Sequence, residues 1–219
     1  MQLVQIVAAA RKVVVLAAAL VVLPAGAGER PVTIVALGDS LTAGHGLAAD
    51  AAFPARLERA LKAKGFSVVV TNAGVSGDTA SAGLARLDWS VPENTDAAIV
   101  QLGANDMLRG IDPKVTRRAL DEIVRRLTGR GIVVLLAGMR AAPNLGPDFV
   151  REFEAIYPDL ADRHGVLFYP FFLDGVAAQG KLNQRDGAHP SAAGVDRIVA
   201  GILPEVEKLV ARVRERRTN

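Results

Sequence analysis

Short apolar runs alternate with amphipathic stretches along most of the chain, and each apolar run stops at glycine and small polar residues. Residues 32–37 (Val-Thr-Ile-Val-Ala-Leu) form the first run, which breaks at Gly38-Asp39-Ser40. Such a run is the pattern of a strand buried on both faces. Comparable runs at 66–70, 97–102, 132–137 and 166–172 predict four more strands. Helical spacing fills the gaps. Phe53, Leu57, Ala60 and Leu61 predict a helix over 53–64 that stops at Gly65, and a second passes through Leu84 and Leu87. Val115, Ala119, Ile123 and Leu127 share one face of a helix from Pro113 to Gly129 or Gly131. Residues 149–164 read as a helix interrupted at Pro158. The last helix carries Ile198, Ile202, Val206, Leu209 and Val213 on one face.

Five strands alternating with helices predict an α/β domain, a mainly parallel five-stranded sheet between two helix layers. In such sheets ligands gather at the carboxyl ends of the strands. The polar breaks after the runs are therefore where chemistry is expected. A second reading of Ser40 stands beside that one, since Asp39 and Ser40 are also ordinary residues to start a helix.

Composition narrows the classes. The chain has 219 residues, half of them hydrophobic, enough for one domain with a substantial core. It has no cysteine, which excludes disulfides, cysteine–zinc sites and thiol nucleophiles. Arg11 and Lys12 precede an apolar run over 13–23, followed by Pro24-Ala25-Gly26-Ala27. That order matches a secretory signal peptide cleaved after Ala27, leaving a domain over 28–219 that is periplasmic or secreted. The run is short for a membrane span, which needs about 20 residues, so no stable membrane insertion is expected after cleavage. The net charge of +3 falls to +1 without the leader. Arg212 to Arg217 form the one basic cluster, expected to be a solvated helix end rather than a nucleic-acid or lipid site.

The breaks differ in content. The first holds Ser40, the second a glycine loop at Gly77, the third Asn105, and the last Asp186 and His189 three residues apart. Acyl transfer by a serine needs a hydroxyl, a base and a carboxylate to orient that base. It also needs donors aimed at the developing oxyanion, which backbone N–H groups and an amide supply. Asp186 and His189 are spaced to share one side of a helical turn, and Pro190 suits the first turn of the final helix.

These blocks identify a resemblance. Gly38-Asp39-Ser40-Leu41, Ser76-Gly77-Asp78-Thr79, Gly103-Ala104-Asn105-Asp106 and Asp186-Gly187-Ala188-His189-Pro190 resemble, in order and spacing, the GDSL or SGNH hydrolases. The chain is similar to the small arylesterases and the thioesterase–lysophospholipase group of that family. Supporting stretches are Gly83-Leu84-Ala85-Arg86-Leu87, residues 101–110 and Pro143-Asn144-Leu145-Gly146. The resemblance implies a flavodoxin-like α/β/α sandwich. It implies Ser40 as nucleophile, His189 as general base and Asp186 as its orienter. It also implies an oxyanion hole of the Ser40 and Gly77 N–H groups and the Asn105 side chain, with no cofactor.

Other residues take blander readings. His45 is expected on a loop or rim, and His164 at a helix end beside Gly165. Asp39 and Asp78 read as helix caps, and Asp106 as a loop-holding residue. Metal binding by Asp186 and His189 lacks nearby partners. Met107, Leu108, Ile111, Met139, Leu145 and Phe149 are expected to line an acyl groove. The expected function is hydrolysis of a small acyl ester or thioester. Carbohydrate O-deacetylation and a non-catalytic envelope binding protein are the alternatives.

Overall fold

The first apolar run becomes strand β1 (Val32–Gly38), with six of its seven residues buried. In the computed structural model, which describes residues 30–218, β1 has neighbours on both sides. The expected leader over 1–27 and its cleavage point lie outside the described residues. β2 (Val68–Gly74) pairs with one side of β1, and β3 (Ala97–Gln101) with the other. β4 (Val133–Ala137) and β5 (Leu167–Tyr169) complete the sheet in the order β2-β1-β3-β4-β5, every pair parallel.

The chain steps from β1 out to β2 and then returns across the sheet to β3. Right-handed crossovers running in opposite directions place their helices on opposite faces. Helix α1 (Ser40–Ala43) follows β1 directly. Helices α2 (Phe53–Ala63) and α9 (Ala192–Thr218) pack together on one face. Helices α3 (Ala80–Ala85), α6 (Pro113–Gly129) and α8 (Ile156–His164) line up on the other. Helices α4 (Leu87–Ser90), α5 (Ala104–Leu108) and α7 (Pro147–Glu154) complete the connections. The result is the expected three-layer sandwich. The reversal between β1 and β3 opens a crevice at the carboxyl ends of those strands.

Several boundaries differ from the sequence reading. β2 starts and ends later than residues 66–70, because Thr71, Asn72 and Ala73 stay in register with Val35, Ala36 and Leu37. Asn72 is held locally: its amide donates to the Ala43 carbonyl (3.2 Å) and its oxygen accepts from Gly74 N–H (2.9 Å). β2 is also an edge strand, and Glu58 Oε2 accepts from the outward Val70 N–H at 2.7 Å. β5 is shorter than expected and stops before Pro170, which has no N–H for the ladder.

The helix over 149–164 is two helices, broken at Ala155 rather than at Pro158. Pro158 sits in the first turn of α8, where a missing N–H removes no helical bond. The helix through Leu84 and Leu87 also divides, at Arg86. Pro190 is not in the first turn of α9. It forms an isolated antiparallel bridge with Asn183, and Ser191 Oγ accepts from Gly194 N–H (3.3 Å) to start the helix.

The basic end of α9 is exposed at Arg212 and Arg216, as expected, and it also acts as a latch. Arg212 donates to the Gly165 carbonyl (3.3 Å), Arg216 to Gly131 (3.0 Å), and Arg217 to Arg30 and Pro31 (2.9 and 3.2 Å). Arg217 also meets Asp96 at 2.7 Å. These partners precede β5, β4, β1 and β3, so one helix end ties down the amino-terminal edge of the sheet.

Candidate active site

The nucleophile block is built by steric necessity. A Cβ on Gly38 would lie 2.1 Å from Thr42 Oγ1 and 2.8 Å from the Gln101 carbonyl, so only glycine lets α1 fold back over the strand end. Asp39 then caps α1 as expected, its Oδ1 accepting from Leu41 N–H at 3.0 Å. Ser40 is thereby the first residue of a helix that begins at the carboxyl end of β1. Asp39 is fully buried, and its second oxygen makes no direct hydrogen bond. Burial raises its carboxyl pKa to about 6, with the Leu41 N–H, the Gln101 amide and His189 offsetting only part of that cost.

From the opposite end of the chain, the loop before α9 brings His189 to Ser40. His189 Nε2 lies 2.9 Å from Ser40 Oγ, and His189 Nδ1 lies 2.7 Å from Asp186 Oδ2. A carboxylate accepts only, so the ring proton resides on Nδ1 and Nε2 is left to accept from the hydroxyl. Asp186 Oδ1 also accepts from the backbone N–H groups of Ala188 (2.9 Å) and His189 (3.0 Å). The His189 N–H, the His189 ring and the Ala188 N–H together hold the Asp186 carboxyl well below its ordinary range. It stays ionised.

Asn105 follows β3 in α5, and its Nδ2 donates to the Asp78 carbonyl at 3.0 Å. Gly77 takes φ +88°, a conformation that side chains resist, and its carbonyl accepts from Arg109 Nη2 at 2.8 Å. Asp106 holds the loop, as read from the sequence: its two oxygens accept from Ala80 N–H (2.9 Å) and Thr116 Oγ1 (3.0 Å). Asp78 is not a cap. Thr79 caps α3 by accepting from Ala82 N–H (3.2 Å), and Asp78 pairs with Arg86. His164 ends α8 beside Gly165, as expected, and pairs there with Asp121 (2.6 Å).

Ser40, Asn105 and His189 open onto a cavity of about 500 Å³ with mostly apolar walls. Met107, Leu108 and Met139 line it, whereas Ile111, Leu145 and Phe149 lie outside. Leu145 and Phe149 pack against the core, Phe149 stacked on Phe153 at 5.9 Å. Gly77 and Asp186 are also away from the wall, Asp186 because it stands behind the His189 ring. The far wall is Phe171, Leu173, Ala177 and Ala178, with Arg140 over the Phe171 ring at 5.0 Å. Phe171 was read as part of the strand over 166–172 but lies beyond β5, and Leu173, Ala177 and Ala178 are apolar residues in a glycine-containing loop that no periodicity marks. Among the described residues, no group of three or more His, Asp or Glu side chains is placed to hold a metal ion.

Comparisons with known proteins place most of the chain. The model of the GDSL-like lipase/acylhydrolase family matches residues 36–197. Esterase TesA of Pseudomonas aeruginosa is 35% identical over 179 residues, 81% of this chain and 89% of the relative. Thioesterase 1/protease 1/lysophospholipase L1 of Escherichia coli K12 is 36% identical, covering 81% of this chain and 85% of the relative. The crystal structure of AlinE4, an SGNH-hydrolase family esterase, superposes with a TM-score of 0.70 at 45% identity, covering 82% of this chain and 97% of that one. A family match across most of the chain, on the sheet that carries these blocks, makes the protein a member of the GDSL-like lipase/acylhydrolase family and a carboxylic ester hydrolase.

Proposed function

We propose that the protein is an exported serine esterase/thioesterase acting on small acyl esters, such as aryl esters, acyl-CoA or lysophospholipids, through an acyl-enzyme. The observation that carries this reading is the chain of hydrogen bonds from Asp186 through His189 to Ser40, ending at an apolar cavity. An acyl chain suits such walls better than a sugar does, which disfavours O-deacetylation of carbohydrates. The names of the relatives, an esterase and a thioesterase/lysophospholipase, support the same substrate classes.

In the reaction His189 Nε2 takes the Ser40 proton as Ser40 Oγ attacks the carbonyl carbon. The tetrahedral oxyanion is met by the Ser40 N–H and the Asn105 amide, which line the cavity, and the family resemblance adds the N–H of Gly77, which stands back from the wall. Asn105 Nδ2 carries two hydrogens; Asp78 takes one and the other serves the oxyanion. His189 then gives its proton to the leaving alcohol or thiol. Water, activated by the same ring, releases the acid and restores Ser40. Asp186 stays ionised and stabilises the charged ring. The mature enzyme on this reading is the domain over 28–219, with the leader over 1–27 removed on export. Among the described residues no helix is long and apolar enough to cross a membrane.

Hydrolysis of p-nitrophenyl esters from acetate to palmitate, by the wild type and Ser40→Ala, tests the proposal. Loss of turnover in the variant is expected, with the chain-length profile ranking the substrate classes. Equal activity in both proteins would remove Ser40 as nucleophile.

A further inference from the structure

We propose that His45 is a positioning residue for the general base, holding the His189 ring toward Ser40 through ring contact and a Gln184 clamp. The inference rests on the Ser40–His189–Asp186 assignment and extends it.

His189 is carried by an exposed loop, with Asp186, Gly187 and Ala188 open to solvent. Its two ring nitrogens are each held by one hydrogen bond, but these lie in the ring plane and resist displacement normal to it only weakly. A neighbour against the ring face opposes that displacement. His45 is that neighbour: the two imidazole centroids are 4.5 Å apart at an interplanar angle of 39°. This distance lies at the close end of ring–ring contacts.

His45 is also tied to the nucleophile. Gly44 N–H and His45 N–H both donate to the Ser40 carbonyl at 3.1 Å, so Ser40 and His45 belong to one turn. Gln184 joins this turn to the His189 loop. Its Nε2 donates to the His45 carbonyl (2.7 Å) and the Pro190 carbonyl (3.0 Å), and its backbone N–H donates to the His189 carbonyl (2.7 Å). The approach is close, since a Cβ on Gly46 would sit 2.4 Å from Gln184 Oε1. Ser40 and His189 are therefore registered by two links besides their own hydrogen bond, the His45–His189 ring contact and the Gln184–His45 bond. A small misplacement of a reacting pair is costly, up to about 10²-fold in rate for 1 Å.

The test compares wild type, His45→Ala, His45→Phe and Gln184→Ala in two assays: steady-state hydrolysis of p-nitrophenyl butyrate, and the rate at which a fluorophosphonate modifies Ser40. His45→Ala is expected to lower kcat and the modification rate about tenfold, with KM within about twofold. His45→Phe, which keeps a ring but no ionisable group, is expected to recover most of both. Gln184→Ala is expected to lower kcat about threefold. Wild-type kcat in His45→Ala overturns the inference, and so does a Phe variant as impaired as the Ala variant. Should His45→Ala not fold, unchanged kcat in Gln184→Ala overturns it. Ser40→Ala and His189→Ala run alongside separate the two readings: activity kept by either overturns the triad assignment instead.

Discussion

Arg86 and Asp78 form an ion pair of 2.5 Å beneath the loop that carries Gly77, with only 8% and 14% of their side chains exposed. The same guanidinium donates to the carbonyls of Gly38 (2.9 Å) and Ala73 (2.9 Å) and to Ser90 Oγ (3.0 Å). It thus joins the ends of β1 and β2 to the residue whose carbonyl holds Asn105. Arg86→Ala is expected to cost about 3–5 kcal/mol, because it leaves a shielded carboxylate without its partner. Arg86→Lys is expected to recover little, since one ammonium cannot reproduce a planar fork. Urea denaturation of both variants measures this; a loss under about 1 kcal/mol in Arg86→Ala would show the pair to be dispensable.

On the proposed mechanism, Asn105→Ala removes one oxyanion donor without touching the Ser40–His189 bond. A loss of about 10²–10³-fold in kcat is expected, with a much smaller change in KM. An effect confined to KM would assign Asn105 to ground-state binding.

Asp39 gives the stability curve a slope near neutrality. Its carboxyl titrates near pH 6 in the folded state, raised by burial, against about 3.9 in the unfolded chain. Between those values the folded state binds more protons, so stability from this group is greatest below about pH 4 and declines as pH rises through 6. Asp39→Asn retains a capping oxygen and removes the titration. Its unfolding free energy relative to wild type is expected to rise by roughly 2–3 kcal/mol from pH 4 to pH 7. A pH-independent difference would contradict the shift.

Asp96 acts in the opposite sense and a lower window. Burial pushes its carboxyl up, but Arg30, the Thr33 N–H and hydroxyl, and Arg217 outweigh that and hold it at about 2. The stabilisation is present above about pH 4 and is lost as pH falls through 2. Arg217→Ala is expected to lower neutral-pH stability by about 1–3 kcal/mol and to flatten the acid decline. An acid-unfolding profile parallel to wild type would count against the latch.

The blocks that carry Ser40, Gly77, Asn105 and His189 were legible because each follows a buried run that gives way to glycine and polar residues, a contrast visible without neighbours. β2 beyond Val70 was not. Thr71-Asn72-Ala73-Gly74 is poor strand sequence, and pairing with β1 overrides that local preference. Pro158 misled because proline breaks a helix interior yet fits a first turn; the sequence does not say which turn it occupies. Arg86, Arg212, Arg216 and Arg217 act through long side chains reaching carbonyls far along the chain, and no spacing rule encodes that reach. The cavity wall at Phe171, Leu173 and Ala178 comes from an irregular segment, where Ala178 even adopts φ +59°.

Glu58, which takes up the outward Val70 N–H, has a consequence for life at high local concentration. An open sheet edge is a template for pairing with another copy, and Val69 beside it is 43% exposed. With the bond already made, and a carboxylate standing beside Lys62 along that border, an incoming strand meets charge where it needs a donor. A second copy pairing along this edge would meet, at Val70, an N–H that is already taken.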